Sequence, residues 1–470
     1  MRTTRLRMSY LNIWKMEVLS KRIKRVYFLG IGGIGMSALA RYFKYCGYEV
    51  AGYDAISSPL TRSLEREGMY VNYEDEEKTV PGDYLDPRTT LCIYTPAIPR
   101  ESVQISVFDS RGFRLYKRAE VLGILSRMKK AVCVAGTHGK TTVSAMTAFL
   151  LKNSSVGCNA FLGGISVNMG TNMLVDEHSD YMVVEADEFD RSFLHLDPEH
   201  AVITAMDADH LDIYGDCENM RRAFADFASR IRPGGHLYLK RGLELPEADV
   251  WGYYGMDSGE CRAENIVLRN RRYRFDYRRE GILIRDIELG IPGRINIENA
   301  VAAITLALDS GVKPEEILPA MAAFRGVVRR FQIIAEYDDT VYIDDYAHHP
   351  REIESVLSSV REIWKEQSLT VVFQPHLYTR TRDFYKEFAG SLNLADEVVL
   401  LDIYPAREQP LPGVSSRMIA DLLDVPVSIM SKEEVLEYAG NKRGVIITMG
   451  AGNIDRLVPA ITAALERRYP

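Results

Sequence analysis

Two glycine-rich stretches of the sequence have the residue types and the spacing of phosphate-binding loops. They are GIGGIGM (30–36) and GTHGKTT (136–142), and each directly follows an apolar run. A strand that enters such a turn before a helix directs backbone N–H groups and the positive end of the helix dipole at anionic oxygens. Both stretches therefore predict binding of a phosphorylated ligand.

The second stretch resembles the end of a Walker A loop. Gly139, Lys140 and Thr141 match its last three positions, but the usual first glycine is replaced by Val134, and the glycine is Gly136 instead. In such a loop Lys140 neutralises phosphate charge and the Thr141 hydroxyl binds Mg²⁺. The stretch predicts an ATP–Mg²⁺ site with a shortened loop.

Acid-rich turns follow two later apolar runs, in VVEADEFDRSF (183–193) and DADHLD (207–212). Mg²⁺ takes hard oxygen ligands and commonly few protein ligands beside substrate phosphates. Together with the phosphate loop, the two turns predict a magnesium site. Imidazole is not a favoured ligand of this ion, so spacing alone assigns His210 a structural role. The carboxylates concerned are Glu185, Asp187, Glu188, Asp207, Asp209 and Asp212.

The stretch GIGGIGM does not by itself determine which phosphorylated ligand is bound. GIGGIGM fits the pattern G-x-G-x-x-G, and Asp54 ends the next apolar run at a distance suited to a ribose hydroxyl. Alone, this pattern favours an NAD-dependent dehydrogenase. A sugar linked to a nucleoside diphosphate fits the same turn equally well, because the geometry requires only a pyrophosphate.

A third group of polar residues lies near the carboxyl end of the chain, in DDYAHHP (344–350) and QPHLYTRTRD (374–383). Paired arginines suit carboxylates or phosphates. ATP–Mg²⁺, a second diphosphate and a carboxylate-binding corner together favour activation of a carboxylate over hydride transfer. The candidate side chains are His348, His349, His376, Arg380 and Arg382.

Elements that position these residues alternate between strand and helix, which predicts an α/β protein of three domains. The domains are an N-terminal Rossmann-like domain (25–125), a central P-loop-type ATPase domain with short antiparallel strands (126–328), and a C-terminal Rossmann-like α/β domain (329–470). Residues 1–24 are expected to form an N-terminal extension. Ligands bind at the carboxyl edge of such sheets.

Composition excludes several classes of protein. The net charge of −7 argues against a nucleic-acid binder. No apolar run approaches the length of a membrane span, so membrane insertion is not expected. The six scattered cysteines suit a reducing, cytoplasmic location.

Seven motifs in order resemble the Mur ligases of bacterial cell-wall synthesis, and with GIGGIGM they span nearly the whole chain. They are GTHGKTT (136–142), VVEADEFDRSF (183–193), DADHLD (207–212), NIENAVAA (296–303), RRF (329–331), DDYAHHP (344–350) and QPHLYTRT (374–381). The resemblance implies an ATP- and Mg²⁺-dependent ligase. GIGGIGM and the histidine pair of DDYAHHP favour members that join UDP-N-acetylmuramate to L-alanine, through an acyl phosphate.

The resemblance also implies a role for individual residues. The implied ATP-binding residues are Gly136, Thr137, His138, Gly139, Lys140, Thr141, Thr142, Asn296, Asn299, Arg330 and Asp345. The implied substrate-binding residues are Gly32, Gly33, Arg191, Tyr346, His376 and Arg380. The implied metal ligands are Thr141, Glu185 and His210, so the family supports His210 as a ligand. The implied catalytic residues are Lys140, Glu185, His210, Arg330 and His348.

Three positions depart from the family pattern. Ile295 stands where a histidine often precedes the adenine motif, and Leu377 replaces an arginine. Residues 211–231 contain no lysine, so we expect no carbamylated lysine there. The alternatives are a recycling ligase that attaches a preformed tripeptide, a dehydrogenase and a non-catalytic ATP-binding regulator. A monomer or homodimer is expected.

Overall fold

The first sheet of the protein is parallel and has five strands. The computed structural model describes residues 22–207, 214–406 and 408–469. Strand order is β3-β2-β1-β4-β5, with bounds β1 Arg25–Leu29, β2 Glu49–Tyr53, β3 Tyr70–Asn72, β4 Thr90–Tyr94 and β5 Leu115–Lys117. The helices between them are α1 Ile34–Tyr45, α2 Pro59–Arg66, α3 Val103–Ser110 and α4 Arg118–Ser126. The predicted Rossmann-like arrangement is confirmed.

A second sheet follows, in which most strands are again parallel. The first seven of its strands along the chain have the order β12-β11-β10-β6-β9-β7-β8. The bounds are β6 Lys130–Ala135, β7 Asn159–Phe161, β8 Met173–Leu174, β9 Tyr181–Ala186, β10 His200–Ile203, β11 His236–Lys240 and β12 Gly252–Gly255. Helices α5 (Lys140–Lys152) and α6 (Cys217–Ala228) belong to this part of the chain. The β7–β8 pair is antiparallel.

Strand β6 lies inside this second sheet because its sequence, KAVCVA, is apolar on both faces after its first residue. All its residues except Lys130 are buried, as expected for a strand of a parallel sheet covered on both sides. The register pairs Ala135 with Ala186 of β9 and with Ile203 of β10. The turns after these three strands therefore share one edge of the sheet.

Three further strands continue the second sheet from β12, and the last six strands form a third sheet. Strand β13 is Cys261–Arg269, and β14 (Arg272–Arg279) pairs with β15 (Ile282–Glu288). The third sheet has the order β16-β17-β21-β18-β19-β20, with the strand β16 antiparallel to its neighbour and the other pairs parallel. Its bounds are β16 Gln332–Glu336, β17 Thr340–Asp345, β18 Leu369–Phe373, β19 Glu397–Leu400, β20 Val427–Ile429 and β21 Gly444–Met449.

Among the described residues of the carboxyl-terminal half, seven helices accompany these strands. They are α7 Ile295–Asp309, α8 Pro314–Ala323, α9 Pro350–Ile363, α10 Tyr378–Leu392, α11 Arg417–Ala420, α12 Lys432–Asn441 and α13 Val458–Arg468. The α/β class with three sheets is thus confirmed.

The described residues form two compact units, one of 22–262 with 301–320 and one of 263–300 with 321–469. The predicted domain boundaries at 125/126 and 328/329 remain predictions, and residues 1–21 of the expected extension lie outside the described residues. In the described part of the chain, every helix is too short or too polar to cross a membrane.

Candidate active site

The loop after β6 has the shortened form that its sequence predicts. Val134 lies within the strand, and Gly136 turns away from it with φ +129°. A Cβ atom on Gly136 would meet the backbone nitrogen of Ala205 at 2.7 Å. Gly139 precedes helix α5 in the left-handed conformation, with φ +83°. Both glycines are therefore required, one by a close backbone approach and both by their dihedral angles.

Lys140 begins helix α5 and already has partners in this structure. Its Nζ donates to the carbonyl oxygen of Gly136 over 2.6 Å and to Oε1 of Glu188 over 2.9 Å. Only 12% of the lysine side chain and 1% of the glutamate side chain are exposed. Burial lowers the pKa of Lys140, but the carboxylates of Glu188, Asp187 and Glu185 outweigh it and raise the pKa. The lysine is therefore a buried cation.

Two of the three implied metal ligands lie side by side. The hydroxyl of Thr141 donates to Oε1 of Glu185 over 3.0 Å, and the N–H of Gly163 donates to Oε2 over 2.9 Å. The third implied ligand, His210, lies outside the described residues, as do Asp209 and Asp212. A hydroxyl and a carboxylate beside a phosphate loop form an oxygen donor set that suits Mg²⁺ with water and phosphate ligands.

The other loop residues are held by the turn after β10. The hydroxyl of Thr204 donates to the carbonyl oxygen of His138, and the N–H of Thr137 donates to that of Ala205 over 3.1 Å. Nε2 of His138 lies 3.7 Å from a carboxylate oxygen of Asp207. Thr142 is half-buried in the first turn of α5. The structure thus places the implied phosphate-binding residues of the described chain in one loop.

The glycine turn after β1 is stabilised by the acid that follows β2. The N–H of Gly32 donates to Oδ2 of Asp54 over 2.8 Å, and α1 begins immediately after Gly33. A Cβ atom on Gly35 would lie 2.5 Å from Nη1 of Arg118. A guanidinium group beside a helix N-terminus adds positive charge where a diphosphate is expected. Sequence reasoning did not identify Arg118.

Two ion pairs connect the first sheet to the acidic turn after β9. Arg118 lies 3.6 Å from Asp187, and Nζ of Lys117 lies 2.9 Å from Oδ2 of Asp190. Asp190 and Arg191 both have positive φ, +52° and +55°. This turn therefore carries the implied sugar-binding Arg191 within a few residues of Glu185. Asp187 and Glu188 lie beside the cationic side chains of Arg118 and Lys140.

Asn172, which the sequence did not single out, is a further connection. It is fully buried, its Oδ1 accepts a hydrogen bond of 2.6 Å from Arg41, and its Nδ2 donates to the carbonyl oxygen of Ile34 over 2.6 Å. Ile34 and Arg41 lie on α1, whose N-terminus carries the glycine turn. An asparagine in a loop gives no sequence signal of this kind, since its role depends on the packing of distant segments.

In the second unit, Asp345 organises the turn after β17. Its carboxylate accepts backbone N–H groups of Phe331, over 2.5 Å, and Ala347, over 2.6 Å. Burial raises the pKa of Asp345 to about 6, against the opposing effect of Arg330. The guanidinium carbon of Arg330 lies 4.9 Å from the ring centre of Tyr346. Three implied site residues, Arg330, Asp345 and Tyr346, therefore lie together.

A histidine pair adjoins this turn. The rings of His348 and His376 are 6.0 Å apart, and that of Tyr346 lies 5.3 Å from His348. Burial lowers the pKa of both histidines to about 4, and the charge of Arg380 adds to the effect. Both imidazoles are consequently neutral at neutral pH. Leu377, which replaces the family's arginine, has φ +71° just before helix α10.

The implied adenine-binding residues are also adjacent. Nδ2 of Asn299 donates to Oδ1 of Asn296 over 2.9 Å, and Nδ2 of Asn296 donates to the carbonyl oxygen of Pro292 over 2.5 Å. Both lie in the first turns of α7. Their contact with adenine remains a prediction.

Comparison with known proteins gives a consistent result along the chain. The catalytic domain of the Mur ligase family matches residues 25–130, the Mur ligase middle domain residues 134–307, and the Mur ligase glutamate ligase domain residues 329–452. The chain is similar to a UDP-N-acetylmuramate–L-alanine ligase of Phocaeicola vulgatus, with 51% identity over 453 residues, 95% of this chain and 99% of that protein. The corresponding ligase of Porphyromonas gingivalis strain W83 is 49% identical over 94% of this chain and 99% of its own length.

A solved structure agrees with these sequence matches. The crystal structure of a UDP-N-acetylmuramate–alanine ligase from Thermotoga maritima matches with a TM-score of 0.82 and 27% identity, covering 94% of this chain and 99% of that chain.

Proposed function

Because the chain belongs to the Mur ligase family, we infer that it joins L-alanine to UDP-N-acetylmuramate at the expense of ATP. The reaction forms an amide at the lactyl carboxylate and yields ADP and phosphate, a step in the synthesis of peptidoglycan precursors. The observation that carries this inference is 51% identity, over almost the full length of both chains, to a ligase named for these two substrates.

Chemistry explains why such a reaction needs ATP. A carboxylate is a poor electrophile, so one of its oxygens first attacks the γ-phosphorus of ATP and ADP leaves. The amine of L-alanine then attacks the acyl carbon of the acyl phosphate, phosphate leaves, and the amine loses a proton. The protein must mainly align the reactants and neutralise the charge that develops.

The phosphate loop after β6 is suited to the first step. We propose that Lys140 exchanges Glu188 for the β- and γ-phosphates, while the N–H groups of 136–142 bind their oxygens. Gly136 to Thr142, Asn296, Asn299, Arg330 and Asp345 would hold ATP. We further propose that Thr141, Glu185 and His210 hold Mg²⁺, which would offset phosphate charge. The Thr141–Glu185 contact of 3.0 Å supports this assignment.

The histidine pair is suited to the second step. We propose that Tyr346, His376 and Arg380 receive L-alanine, with Arg380 binding its carboxylate. His348 and His376 have lowered pKa values, so each is unprotonated at neutral pH and free of the charge that would repel an amine. His348, His349 and His376 are the candidates for the group that accepts the amine proton.

The glycine turn after β1 is suited to the sugar nucleotide. We propose that Gly32, Gly33 and Arg191 bind UDP-N-acetylmuramate, with its diphosphate at the N-terminus of α1. We propose that the reaction takes place in the cytoplasm, where ATP is available, and that the protein acts as a monomer or a homodimer.

One assay tests the proposal. Phosphate release is measured with ATP, Mg²⁺ and UDP-N-acetylmuramate while L-alanine, glycine, L-serine or a tripeptide is added in turn. We expect release that requires both the sugar nucleotide and L-alanine. Release only with the tripeptide would identify a recycling ligase, and ATP binding without release under any condition would indicate a regulator.

A further inference from the structure

Three potential metal ligands meet at the edge of the second sheet opposite the phosphate loop. His200 is the first residue of β10 and His236 the first of β11, and the parallel register pairs them directly. Side chains in register on neighbouring strands point to the same face, so the two imidazoles lie side by side, with ring centres 5.1 Å apart. The third ligand is Asp309, the last residue of α7.

These groups are close enough to share one ion. One ligand atom of each residue lies within 4.8 Å of the others, and Nδ1 of His236 is 2.7 Å from Oδ2 of Asp309. Around a tetrahedral Zn²⁺ with bonds near 2 Å, neighbouring ligand atoms are about 3.4 Å apart. Binding of an ion would bring a nitrogen of His200 closer to the other two ligands and replace the direct His236–Asp309 contact.

The surroundings hold the ligands in orientation. The hydroxyl of Tyr238 donates to Oδ2 of Asp309 over 2.7 Å, and the ring of Trp251 stacks on His236 at 4.1 Å. Asp309 has a side chain only 2% exposed, and it lies at a helix C-terminus, where the dipole disfavours an anion. A divalent cation would offset both the burial of this carboxylate and its unfavourable interaction with the helix dipole. Groups that orient metal ligands in this way strongly affect affinity.

We propose that His200, His236 and Asp309 form a binding site for a divalent transition-metal ion of the zinc type. Two imidazoles and one carboxylate favour such an ion over Mg²⁺, which prefers oxygen ligands alone. The site is separate from the reaction, because its ligands begin β10 and β11, whereas the phosphate loop contacts the residue that follows β10. The role of the ion is structural, because it links the end of α7 to the strands β10 and β11.

The test uses the full chain, freed of metal with a chelator and titrated with Zn²⁺ in excess Mg²⁺. Wild type is expected to bind one Zn²⁺ at this site and to show a higher Tm. Asp309→Asn and His236→Gln should weaken binding by about 100-fold or more, and Tyr238→Phe by about 10-fold, as for other groups that orient ligands. His178→Gln, which removes an exposed histidine of the same unit, should leave binding unchanged.

The visible absorption of bound Co²⁺ distinguishes binding at this site from binding to cysteine thiolates. Wild type should show visible absorption typical of tetrahedral Co²⁺ without a thiolate charge-transfer band, and His236→Gln should lose it. The side chain of His236 is more exposed than that of Asp309. The His236→Gln variant therefore remains informative should Asp309→Asn fold poorly. Absence of Zn²⁺ uptake, or equal uptake by wild type and both ligand variants, overturns the proposal.

Discussion

Lys140 and Glu188 face each other as a buried ion pair, and this shapes what a substitution at the phosphate loop will do. Nζ lies 2.8 Å from Oε2 of a carboxylate that is almost fully shielded from water. Removing one partner of a buried pair leaves the other charge uncompensated, which typically costs about 3–5 kcal/mol. Replacing both partners with apolar side chains is often nearly neutral.

We therefore expect Lys140→Met to abolish phosphate release and to lower the free energy of unfolding by about 3–5 kcal/mol. Lys140→Met combined with Glu188→Leu should recover most of that stability and remain inactive. Urea unfolding and the phosphate assay measure the two effects. Lys152→Met, at the exposed end of the same helix, is the control. Retained turnover in Lys140→Met would remove the lysine from the mechanism.

Contacts between individual residues were predictable from the sequence in some cases and not in others. Thr141 and Glu185 were expected near one another because the family resemblance implied that both bind the same metal ion. The partner of Lys140 was not predicted. It depends on the backbone after β9, where Asp190 and Arg191 adopt positive φ, and nothing in the residue types of DEFDR requires that conformation.

Helix α1 is the element that ties the glycine turn to the rest of its unit. Asn172 helps to position this helix, because it binds the carbonyl oxygen of Ile34, the hydroxyl of Ser37 and the guanidinium of Arg41. Arg41 is also paired with Glu67 over 2.7 Å. One amide thus orients both ends of the first two turns of α1.

Asn172→Ala should lower the free energy of unfolding by about 2–3 kcal/mol, since the hydrogen bond to the charged guanidinium of Arg41 is lost. The KM for UDP-N-acetylmuramate should rise because the glycine turn at the start of α1 loses its support. Chemical unfolding and steady-state kinetics measure these effects. His178→Ala, at an exposed position of the same unit, should stay within about 0.5 kcal/mol of wild type. Equal behaviour of the two variants would contradict the positioning role.

Across the whole molecule, the proposed ligands are divided between loops on different sheets. Stabilisation by a ligand follows its own affinity and reaches about 2.7 kcal/mol at 100 times Kd. UDP-N-acetylmuramate should therefore raise the Tm of both wild type and Lys140→Met. ATP with Mg²⁺ should raise that of wild type alone, and NAD should raise neither. Thermal scans measure this, and equal protection of both proteins by ATP would contradict the assignment of ATP to the loop after β6.

The large-scale architecture was predictable because its signals are local and repeated. Apolar runs followed by glycine or acidic turns marked strands such as β6, β9 and β17, and alternation with helices indicated parallel sheets. The proposed metal site was not predictable. His200, His236 and Asp309 are separated by 36 and 73 positions along the chain, and only the register of β10 with β11 and the packing of α7 bring them together.

The pairing of Lys140 with Glu188 also affects the release of phosphate as a product. With the lysine in its proposed role, any incoming phosphate competes with a carboxylate already in place. ATP offers three linked phosphate groups and an accompanying metal ion to offset that loss, whereas free phosphate offers a single phosphate group. We therefore expect the internal carboxylate to favour release of phosphate after each turnover.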